Sequence, residues 1–422
     1  MKYTYSEVIN TIENTHRFGN YTGYEVSKQM LEQLGNPQSG IPFVHVAGTN
    51  GKGSTTAFLC KILEQTGKKV GMFTSPHLIT FEERIRINGT YISKEDVTRL
   101  GNLLLGMEFE LPPTMFDYCL AMAVLYFKEQ QCDIMVMETG IGGRYDSTNA
   151  LGNPEVAVIT KIGLDHTAIL GDTIEKIAGE KAGIIKEKAL VVTSRQEASV
   201  KRVLHDYFTE MNGVQYYEIG DSDISYVKGI PMKMNGSYQH ENAATAVATA
   251  RILFEKWNKD GVFVTSESEQ EAYIQSGVSN AIWKGRMEII NENPFFMIDG
   301  AHNSHGVHAL AESLKNLYPN EKFHFIMGVM ADKDYEEMID ELLPLAIDFV
   351  TVTPESNRAL QSKDLAECIQ SKGVEARYAE DMEEIILPLL VPHKEEVDGK
   401  TIAFGSLYFI GAIEAMLEKN NK

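Results

Sequence analysis

Short apolar segments rich in β-branched residues alternate with helical segments along most of the chain. The predicted strands cover residues 42–46, 69–74, 133–137, 156–162, 190–193, 295–298, 322–327, 349–353 and 401–404. Helical patterns lie between most of them, for example over residues 54–65, 115–130, 173–185, 240–256, 306–317 and 364–371. Strands that alternate with helices indicate parallel sheets that are covered on both faces. The sequence therefore predicts an α/β fold.

The length of the chain predicts more than one domain. Its 422 residues exceed what a single hydrophobic core usually organises. A polar stretch at residues 258–279 interrupts the alternation, and the segment beyond it is long enough for a small α/β domain. We therefore expect a large domain over residues 1–284 and a smaller one over residues 285–422. The cleft between two such domains is the expected ligand site.

Charge and composition exclude several classes of protein. The chain carries 39 Lys and Arg against 59 Asp and Glu, a formal net charge of −20. Such a surface repels nucleic acids and anionic membranes, so we expect neither as a main partner, whereas a locally basic site for small anions is not excluded. No apolar stretch reaches the length of a membrane span, and the N-terminal segment lacks the apolar core of a signal peptide. The four cysteines form no CxxC pair, which indicates neither a disulfide framework nor a zinc site. We expect a cytoplasmic protein.

The segment HVAGTNGKGST, residues 45–55, leads from an apolar strand through a glycine-rich turn into a helix. Glycines let backbone N–H groups approach phosphate oxygens, and the helix N-terminus and Lys52 add positive potential. The spacing differs from GxxxxGK[ST], because only two residues separate Gly48 from Gly51 and Gly53 stands before Ser54. A tight strand–helix turn with an incidental lysine is the alternative. Three glycines with a lysine in this context favour a phosphate-binding loop.

Unusual polar residues follow five further predicted strands. They are TSPH at 74–77, ETG at 138–140, DH at 165–166, DGAHN at 299–303 and GS at 405–406. Open α/β sheets bind ligands at the carboxyl ends of their strands. Ser75, Glu138 and His166 suit Mg²⁺, which takes few protein ligands and keeps water or phosphate oxygens in its other positions. Histidine is an unusual Mg²⁺ ligand, so a hydrogen-bonded loop histidine stays an alternative for His166.

Lys181 lies in the apolar stripe of a predicted helix. The stripe, which has helical spacing, consists of Ile174, Ile177, Ala178, Ala182 and Ile185. A buried ammonium is costly unless it is paired or chemically changed. In one interpretation the lysine stem packs while its ammonium reaches water. In the other, the lysine faces an active site and CO₂ converts it to a carbamate.

In order and spacing, these motifs resemble the folylpolyglutamate synthases, including their bifunctional dihydrofolate synthase form, of the Mur ligase superfamily. The segments that carry the resemblance are HVAGTNGKGST (45–55), TSPHL (74–78), ERIRING (83–89), ETGIGGRYDSTN (138–149), IGLDHTAILGDTIEKIAGEKAGIIK (162–186), QHENAATA (239–246), KGRME (284–288), DGAHNSHG (299–306) and GSLYFIG (405–411). The resemblance implies an ATP-binding domain over residues 1–284, with a P-loop-type, mostly parallel sheet. It also implies a smaller, Rossmann-like glutamate-ligase domain over residues 285–422.

The resemblance implies an ATP-dependent amide ligase that adds L-glutamate to the carboxylate of a folate through an acyl phosphate. The substrates would be ATP, glutamate and a folate or dihydropteroate. The implied cofactors are Mg²⁺, expected as two ions, and a carbamate on Lys181, and a need for K⁺ stays open. A monomer is the default expectation. The sequence also leaves open whether dihydropteroate is accepted, which folate is preferred and how long the polyglutamate product becomes.

Site residues follow from the same resemblance, motif by motif. The implied ATP contacts are Gly48, Thr49, Asn50, Gly51, Lys52, Gly53, Ser54, Thr55, Asn242, Arg286 and Asp299. The implied catalytic residues are Lys52, Lys181, Asp299 and His302, and the implied Mg²⁺ ligands are Ser75, Glu138 and His166. The implied contacts to folate or glutamate are Ser75, His77, Arg84 and Ser406.

Two alternatives of different kinds compete with this interpretation. One is a Mur-type ligase that joins an amino acid to a cell-wall nucleotide, although TSPHL and ERIRING favour a folate. The other is a nucleotide-binding regulator without turnover, against which Lys52, Glu138, His166 and Lys181 argue. The chain departs from the family's usual residues at Asp117, Thr139, Ile141, Tyr145 and Lys161, which bears on folate specificity rather than on the class of reaction.

Overall fold

The structure is a computed structural model that describes residues 2–15, 23–393, 397 and 399–420. The chain divides into two compact units, the first formed by Met1–Lys233 and His240–Ile282 and the second by Met234–Gln239 and Trp283–Lys422. The segment Met234–Gln239 belongs with the second unit although it lies far from the predicted division at residues 284 and 285. Its membership depends on tertiary contacts, which leave no mark in local composition.

The first unit is built on a mostly parallel sheet. Its strands are β1 (Phe43–Ala47), β2 (Val70–Phe73), β3 (Ile85–Ile87), β4 (Thr90–Tyr91), β5 (Ile134–Glu138), β6 (Val156–Ile159), β7 (Leu190–Thr193) and β8 (Gln215–Glu218). Over the described residues the sheet has eight strands in the order β4-β3-β2-β5-β1-β6-β7-β8; β3 pairs antiparallel with both β2 and β4, and the other pairs are parallel. β1 therefore lies between β5 and β6, which brings the carboxyl ends of these three strands to one edge of the sheet.

Helices connect these strands and pack on the sheet. They are α1 (Tyr5–Glu13), α2 (Glu25–Gln33), α3 (Lys52–Glu64), α4 (Lys94–Leu105), α5 (Met115–Glu129), α6 (Thr167–Leu170), α7 (Ile174–Ala182), α8 (Ala198–Glu210), α9 (Asp221–Lys228), α10 (Ser237–Asp260) and α11 (Glu267–Asn280). Every residue of β1 and β5 is buried, as continuous apolar strands of a doubly covered sheet should be. The helix bundle α1, α2, α4 and α5 shares one hydrophobic cluster with these strands.

Two elements differ from the sequence prediction for physical reasons. The polar stretch at residues 258–279 contains most of α11, which begins with a capping box between Ser266 and Glu269. Gly277 brings α11 against α3, because a Cβ atom there would lie 2.4 Å from the Cα of Ile62. The predicted strand 156–162 ends at Ile159, three residues early.

The second unit contains a smaller sheet. Its strands are β9 (Glu288–Glu292), β10 (Phe295–Ile298), β11 (Phe323–Met327), β12 (Ala346–Thr351), β13 (Ala376–Tyr378) and β14 (Lys400–Phe404), and its helices are α12 (Ser304–Leu317), α13 (Tyr335–Leu342), α14 (Ser362–Ser371), α15 (Met382–Leu390) and α16 (Leu407–Asn420). As far as the structure describes the chain, six strands form this sheet in the order β13-β12-β11-β14-β10-β9, with only β9 antiparallel. Stacked and edge-on contacts of Phe325 with Phe349 and Phe404 fill its core.

The predicted fold class is confirmed: each unit is an α/β layer structure around its own mostly parallel sheet. A bilayer-spanning segment needs a long apolar helix, and the helices of the described residues include none.

Candidate active site

The glycine-rich loop, residues 48–53, connects the carboxyl end of β1 to the first turn of α3. The backbone N–H groups of Thr49 and Asn50 both donate to the carbonyl of Lys161, at 3.0 and 3.1 Å. These two donors are therefore used inside the protein. The first turn of α3 begins at Lys52 without a side-chain cap, and N–H groups in a first helical turn have no intrahelical acceptor. That turn, rather than Thr49 and Asn50, offers the donors for an anion.

Gly51 is a position that requires glycine. Its φ of 85° lies in the left-handed region, and it turns the chain directly into α3. A Cβ atom at this residue would also lie 2.3 Å from Oδ1 of Asn242. The structure thus places buried Asn242, on α10, against the glycine-rich loop.

Two lysines converge on one carbonyl group of the loop. Nζ of Lys181 donates to the oxygen of Gly48 at 2.8 Å, and Nζ of Lys52 donates to it at 3.1 Å. Lys181 is only 4% exposed, so its ammonium turns inward and does not reach solvent. Burial, and secondly the charge of Lys52, lower the pKa of Lys181 to about 7.

Glu138 ends β5 beside this loop. It is buried, its Oε1 lies 4.0 Å from Nζ of Lys52, and its Oε2 accepts the backbone N–H of Ser75 at 3.3 Å. Close by in sequence, the buried hydroxyl groups of Thr55 and Thr139 have no hydrogen-bond partner within the described protein. Buried polar atoms are normally satisfied, so orphaned hydroxyls on residues next to Glu138 and in the first turns of α3 are consistent with a place for a polar ligand.

The residues predicted to bind Mg²⁺ are distributed as follows. Ser75 and Glu138 are in contact, and a carboxylate with a hydroxyl is an oxygen donor set that fits an ion with few protein ligands. His166 directly precedes α6 and has a left-handed φ of 50°, and its N–H donates to Oδ1 of Asp165 at 2.8 Å. Among the described residues, no group of three or more His, Cys, Asp or Glu side chains is placed to hold a metal ion. The assignment of His166 stays a prediction.

The segment after β2 holds the predicted folate contacts. Nε of Arg84 donates to Nδ1 of His77 at 2.8 Å, and the guanidinium is buried. Glu83, which the sequence analysis did not single out, accepts the N–H groups of residues 78–80 and so folds this segment into a compact loop. Its signal was the capping-box spacing between Thr80 and Glu83.

Asp146 is a second residue that the sequence analysis missed. It is buried, and its Oδ2 accepts the backbone N–H groups of Gly140 and Ile141, both at 2.9 Å. These residues lie two and three positions after Glu138, so Asp146 fixes the loop that follows that carboxylate. Burial raises its pKa, and the hydrogen bonds to Thr148 and to the backbone oppose the shift.

Asp299 follows β10 in the second unit, and both oxygens of its carboxylate accept hydrogen bonds from the protein. Oδ2 accepts the hydroxyl of Tyr238 and the N–H of Met287, both at 2.8 Å, and Oδ1 accepts the N–H of Ala301 at 2.7 Å. Burial raises the pKa of Asp299, and the charge of Arg286 opposes that shift. The sequence did not point to Tyr238 as a partner of Asp299, because the predicted domain division placed the two residues in different domains.

Arg286 and His302 lie beside the same loop. The guanidinium of Arg286 covers Gly300 so closely that a Cβ atom there would lie 1.9 Å from Nη1. Nδ1 of His302 is 2.8 Å from the carbonyl oxygen of Gly300. The structure thus gathers Arg286, Asp299 and His302 around one turn.

Ser406, the predicted contact to glutamate, follows β14 and is buried, and its Oγ accepts the N–H of Tyr408 at 3.1 Å.

Comparison with known proteins identifies the class to which this arrangement belongs. Residues 46–250 match the Mur ligase middle domain, and residues 285–397 match the Mur ligase glutamate ligase domain. The chain is 35% identical to the dihydrofolate synthase/folylpolyglutamate synthase of Bacillus subtilis over 98% of its own length and 99% of that protein.

Two solved structures extend this likeness to the whole fold. The folylpolyglutamate synthase from Thermotoga maritima is 30% identical, with a TM-score of 0.80 over 99% of this chain and 97% of that one. Escherichia coli FolC, in complex with DHPP and ADP, is 27% identical, with a TM-score of 0.85 over 100% and 99% of the two chains. The chain belongs to the dihydrofolate synthase/folylpolyglutamate synthase family of Mur ligases. It is an ATP-dependent ligase, and the predicted family is confirmed.

Proposed function

We propose that this ligase joins the amine of L-glutamate to the carboxylate of a folate and uses ATP to activate that carboxylate. The proposal rests on one observation above all. Lys52, Lys181 and Glu138 meet at the glycine-rich loop, at the carboxyl ends of adjacent strands. This is the edge of an open α/β sheet where ligands bind.

The chemistry needs a leaving group, because a carboxylate is a poor electrophile. A carboxylate oxygen attacks the γ-phosphorus of ATP, and ADP leaves. The glutamate amine then attacks the acyl carbon, inorganic phosphate leaves, and the nitrogen loses a proton. Lys52 and the first turn of α3 would stabilise the charge on the transferring phosphoryl group, which is the main catalytic contribution in such steps.

Magnesium would be held by Glu138 and Ser75, with His166 as the third proposed ligand. When bound, the metal neutralises charge on the nucleotide phosphates. Glu138 suits this task because its carboxylate is buried and held by the Ser75 N–H.

We propose in addition that Lys181 carries a carbamate. With a pKa of about 7, a large fraction of its amine is unprotonated at neutral pH and can react with CO₂. The amine nitrogen bonds to the carbon of CO₂ and releases one proton, which leaves an anion. That anion would pair with the ammonium of Lys52, so a repulsive pair of cations, of which Lys181 is buried, becomes an attractive pair.

The remaining site residues are proposed as substrate contacts. Asn242 would lie near the nucleotide base, and Arg286, Asp299 and His302 would act on ATP and the activated intermediate. His77 and Arg84 would contact the folate, and Ser406 would lie near glutamate. A cytoplasmic location is proposed, since all four cysteines are free thiols, and a monomer is the default expectation.

Glutamate ligation to dihydropteroate is a second proposed activity. It is supported by the Bacillus subtilis relative, which carries both activities in its name. A need for K⁺ has no support in the geometry and is not proposed.

The test measures ADP release by the purified chain with ATP and Mg²⁺. We expect release only when glutamate and a folate are present together, with tetrahydrofolate and dihydropteroate assayed side by side on one preparation. Release that requires a cell-wall nucleotide in place of the folate would establish the competing Mur-type activity. Nucleotide binding without release under any condition would establish a regulator.

A further inference from the structure

The carboxamide of Gln196 continues the sheet beyond the end of β6. β7 ends at Thr193, and just beyond it the N–H of Ser194 donates to the carbonyl of Ile159, the last residue of β6. Nε2 of Gln196 donates to the carbonyl of Thr160 at 3.0 Å, and its Oε1 accepts the N–H of Ile162 at 3.1 Å. One side-chain amide thus supplies the N–H donor and the carbonyl acceptor that the backbone of a neighbouring strand would otherwise provide. Gln196 is buried, and it holds residues 160–162 in place.

The segment held by Gln196 is the one that binds the glycine-rich loop. The carbonyl of Lys161 accepts the N–H groups of both Thr49 and Asn50. The buried hydroxyl of Thr160 donates to the carbonyl of Asn50 at 2.8 Å. It lies so close to the loop that a Cβ atom at Gly48 would be 1.8 Å from Oγ1 of Thr160.

The planar peptide group transmits this contact to the side of the loop that faces away from Thr160. In a trans peptide the C=O of one residue and the N–H of the next point in opposite directions. With the carbonyl of Asn50 fixed on Thr160, the N–H of Gly51 must point away from β6, toward the start of α3. The hydroxyl of Thr160 therefore orients a donor that it does not touch.

The geometry of the peptide groups also explains which carbonyls the two lysines contact. Because the N–H groups of Thr49 and Asn50 point toward Lys161, the carbonyls of the preceding residues, Gly48 and Thr49, point the other way. Those carbonyls are the acceptors of Lys52, at 3.1 and 3.2 Å, and Gly48 also accepts from Lys181. The orientation of three consecutive peptide groups thus sets the positions of both ammonium groups.

We propose that Thr160 and Gln196 are positioning residues for nucleotide binding: together they orient the peptide groups of the glycine-rich loop and, through them, Lys52 and Lys181. The inference deepens the proposed function and rests on it, since it takes the loop to bind the phosphates of ATP. Neither residue touches the nucleotide. Their contribution is preorganisation, which lowers the cost of ordering the loop when the ligand binds.

The first experiment compares three variants of the full chain, Thr160→Val, Thr160→Ser and Thr249→Val, by calorimetric titration with ADP in the presence of Mg²⁺. Thr249 is a matched control, because it is equally buried and donates at 2.8 Å to the carbonyl of Thr245 within α10. Loss of either hydroxyl removes one buried hydrogen bond, and the carbonyl of Thr245 keeps its place in the helix ladder, so we expect the thermal unfolding midpoint to fall no more in Thr249→Val than in Thr160→Val. The ADP affinity separates a positioning role from a structural one. We expect it to fall about tenfold in Thr160→Val, to stay within about twofold in Thr160→Ser and to be unchanged in Thr249→Val.

Gln196→Met provides a second, independent variant, also for the case that Thr160→Val does not fold. Methionine has a similar length but neither donor nor acceptor, so the carbonyl of Thr160 and the N–H of Ile162 lose their partner. We expect a loss of ADP affinity of about tenfold here too.

Several outcomes would overturn the inference. Wild-type ADP affinity in Thr160→Val, or equal weakening in Thr160→Val and Thr160→Ser, would show that Thr160 acts through packing. Wild-type affinity in Gln196→Met would remove Gln196 from the proposal. A wild-type chain that does not bind ADP would overturn the phosphate-binding loop and this inference together. ADP binding without glutamate ligation would overturn only the proposed function, because the affinity comparison needs no turnover.

Discussion

Nζ of Lys181 donates a 2.8 Å hydrogen bond to the carbonyl oxygen of Gly48, a residue 133 positions earlier in the chain. The same oxygen accepts from Lys52, so two cations share one acceptor, and Lys181 is buried. Their repulsion adds to the cost of burial and holds the pKa of Lys181 near 7. The arrangement is unfavourable as it stands and becomes favourable when an anion arrives, as expected of a site for phosphates or a carbamate.

Lys52→Ala should abolish ligation while the fold persists. Removal of a cation that stabilises the transferring phosphoryl group should lower kcat by about 100-fold or more. The measurement is ADP release in the presence of glutamate and folate, together with the circular dichroism spectrum of the variant. Lys61→Ala is the control, because Lys61 lies on the same helix, pairs with Glu64 at 2.8 Å and should be dispensable. Retained activity in Lys52→Ala would count against the phosphate-binding assignment.

Lys181→Ala should be nearly inactive and should regain part of its activity when short carboxylates are added. Acetate or formate would place an anion in the space of the missing carbamate. The measurement is ADP release at rising carboxylate concentration. Lys176→Ala, an exposed position on α7 whose lysine pairs with Asp172, should be active and insensitive to the additive. A fully active Lys181→Ala would show that the lysine is only a packed side chain.

Lys181→Met should stabilise the protein at low pH. The pKa of Lys181 is about 7 in the folded state against 10.5 in the unfolded chain, so the unfolded state binds more protons between these values. The wild-type protein therefore loses stability as pH falls from 10.5 to 7, and methionine removes this cost. In CO₂-free buffer we expect the variant to be more stable by about 1–4 kcal/mol at pH 6, with the difference shrinking toward pH 10. Urea unfolding across this range is the measurement, and a difference independent of pH would refute the buried ammonium.

Glu414→Gln should alter stability in the opposite pH direction. Glu414, on α16, pairs with Lys284 at 2.9 Å, but burial and the neighbouring Glu288 raise its pKa to about 7, against 4.5 in the unfolded chain. The folded state then binds more protons between pH 4.5 and 7, so wild-type stability falls as pH rises through this window. Between pH 5 and 8 the free energy of unfolding of the variant should rise relative to that of the wild-type protein, by on the order of 1 kcal/mol.

Glu418→Gln is the control for that experiment. Glu418 also lies near Lys284, at 3.5 Å, but its side chain is half exposed. We expect a small effect on stability, because solvent screens exposed pairs. Equal pH profiles for both variants would show that burial of Glu414 is not the cause.

The sequence by itself determined the α/β class, the family, the glycine-rich loop and the place of Lys181 in an apolar stripe. These features are encoded in local patterns, since periodicity 2 or 3.6 and a glycine at a left-handed turn can be recognised within a few residues. The apolar stripe of α7 could predict that the stem of Lys181 packs against the protein, but it left the direction of the ammonium open and could not name its acceptor.

Only the tertiary structure decided which polar groups meet. The sheet order β5-β1-β6 differs from chain order, and it alone brings Lys161 and Thr160 to the loop after β1. In the same way it took the folded second unit to bring Tyr238 to Asp299, 61 positions away. A hydrogen bond between distant residues is a single, non-repeating contact with no periodic trace in the sequence, and its partner is fixed only when packing has excluded water and every other donor.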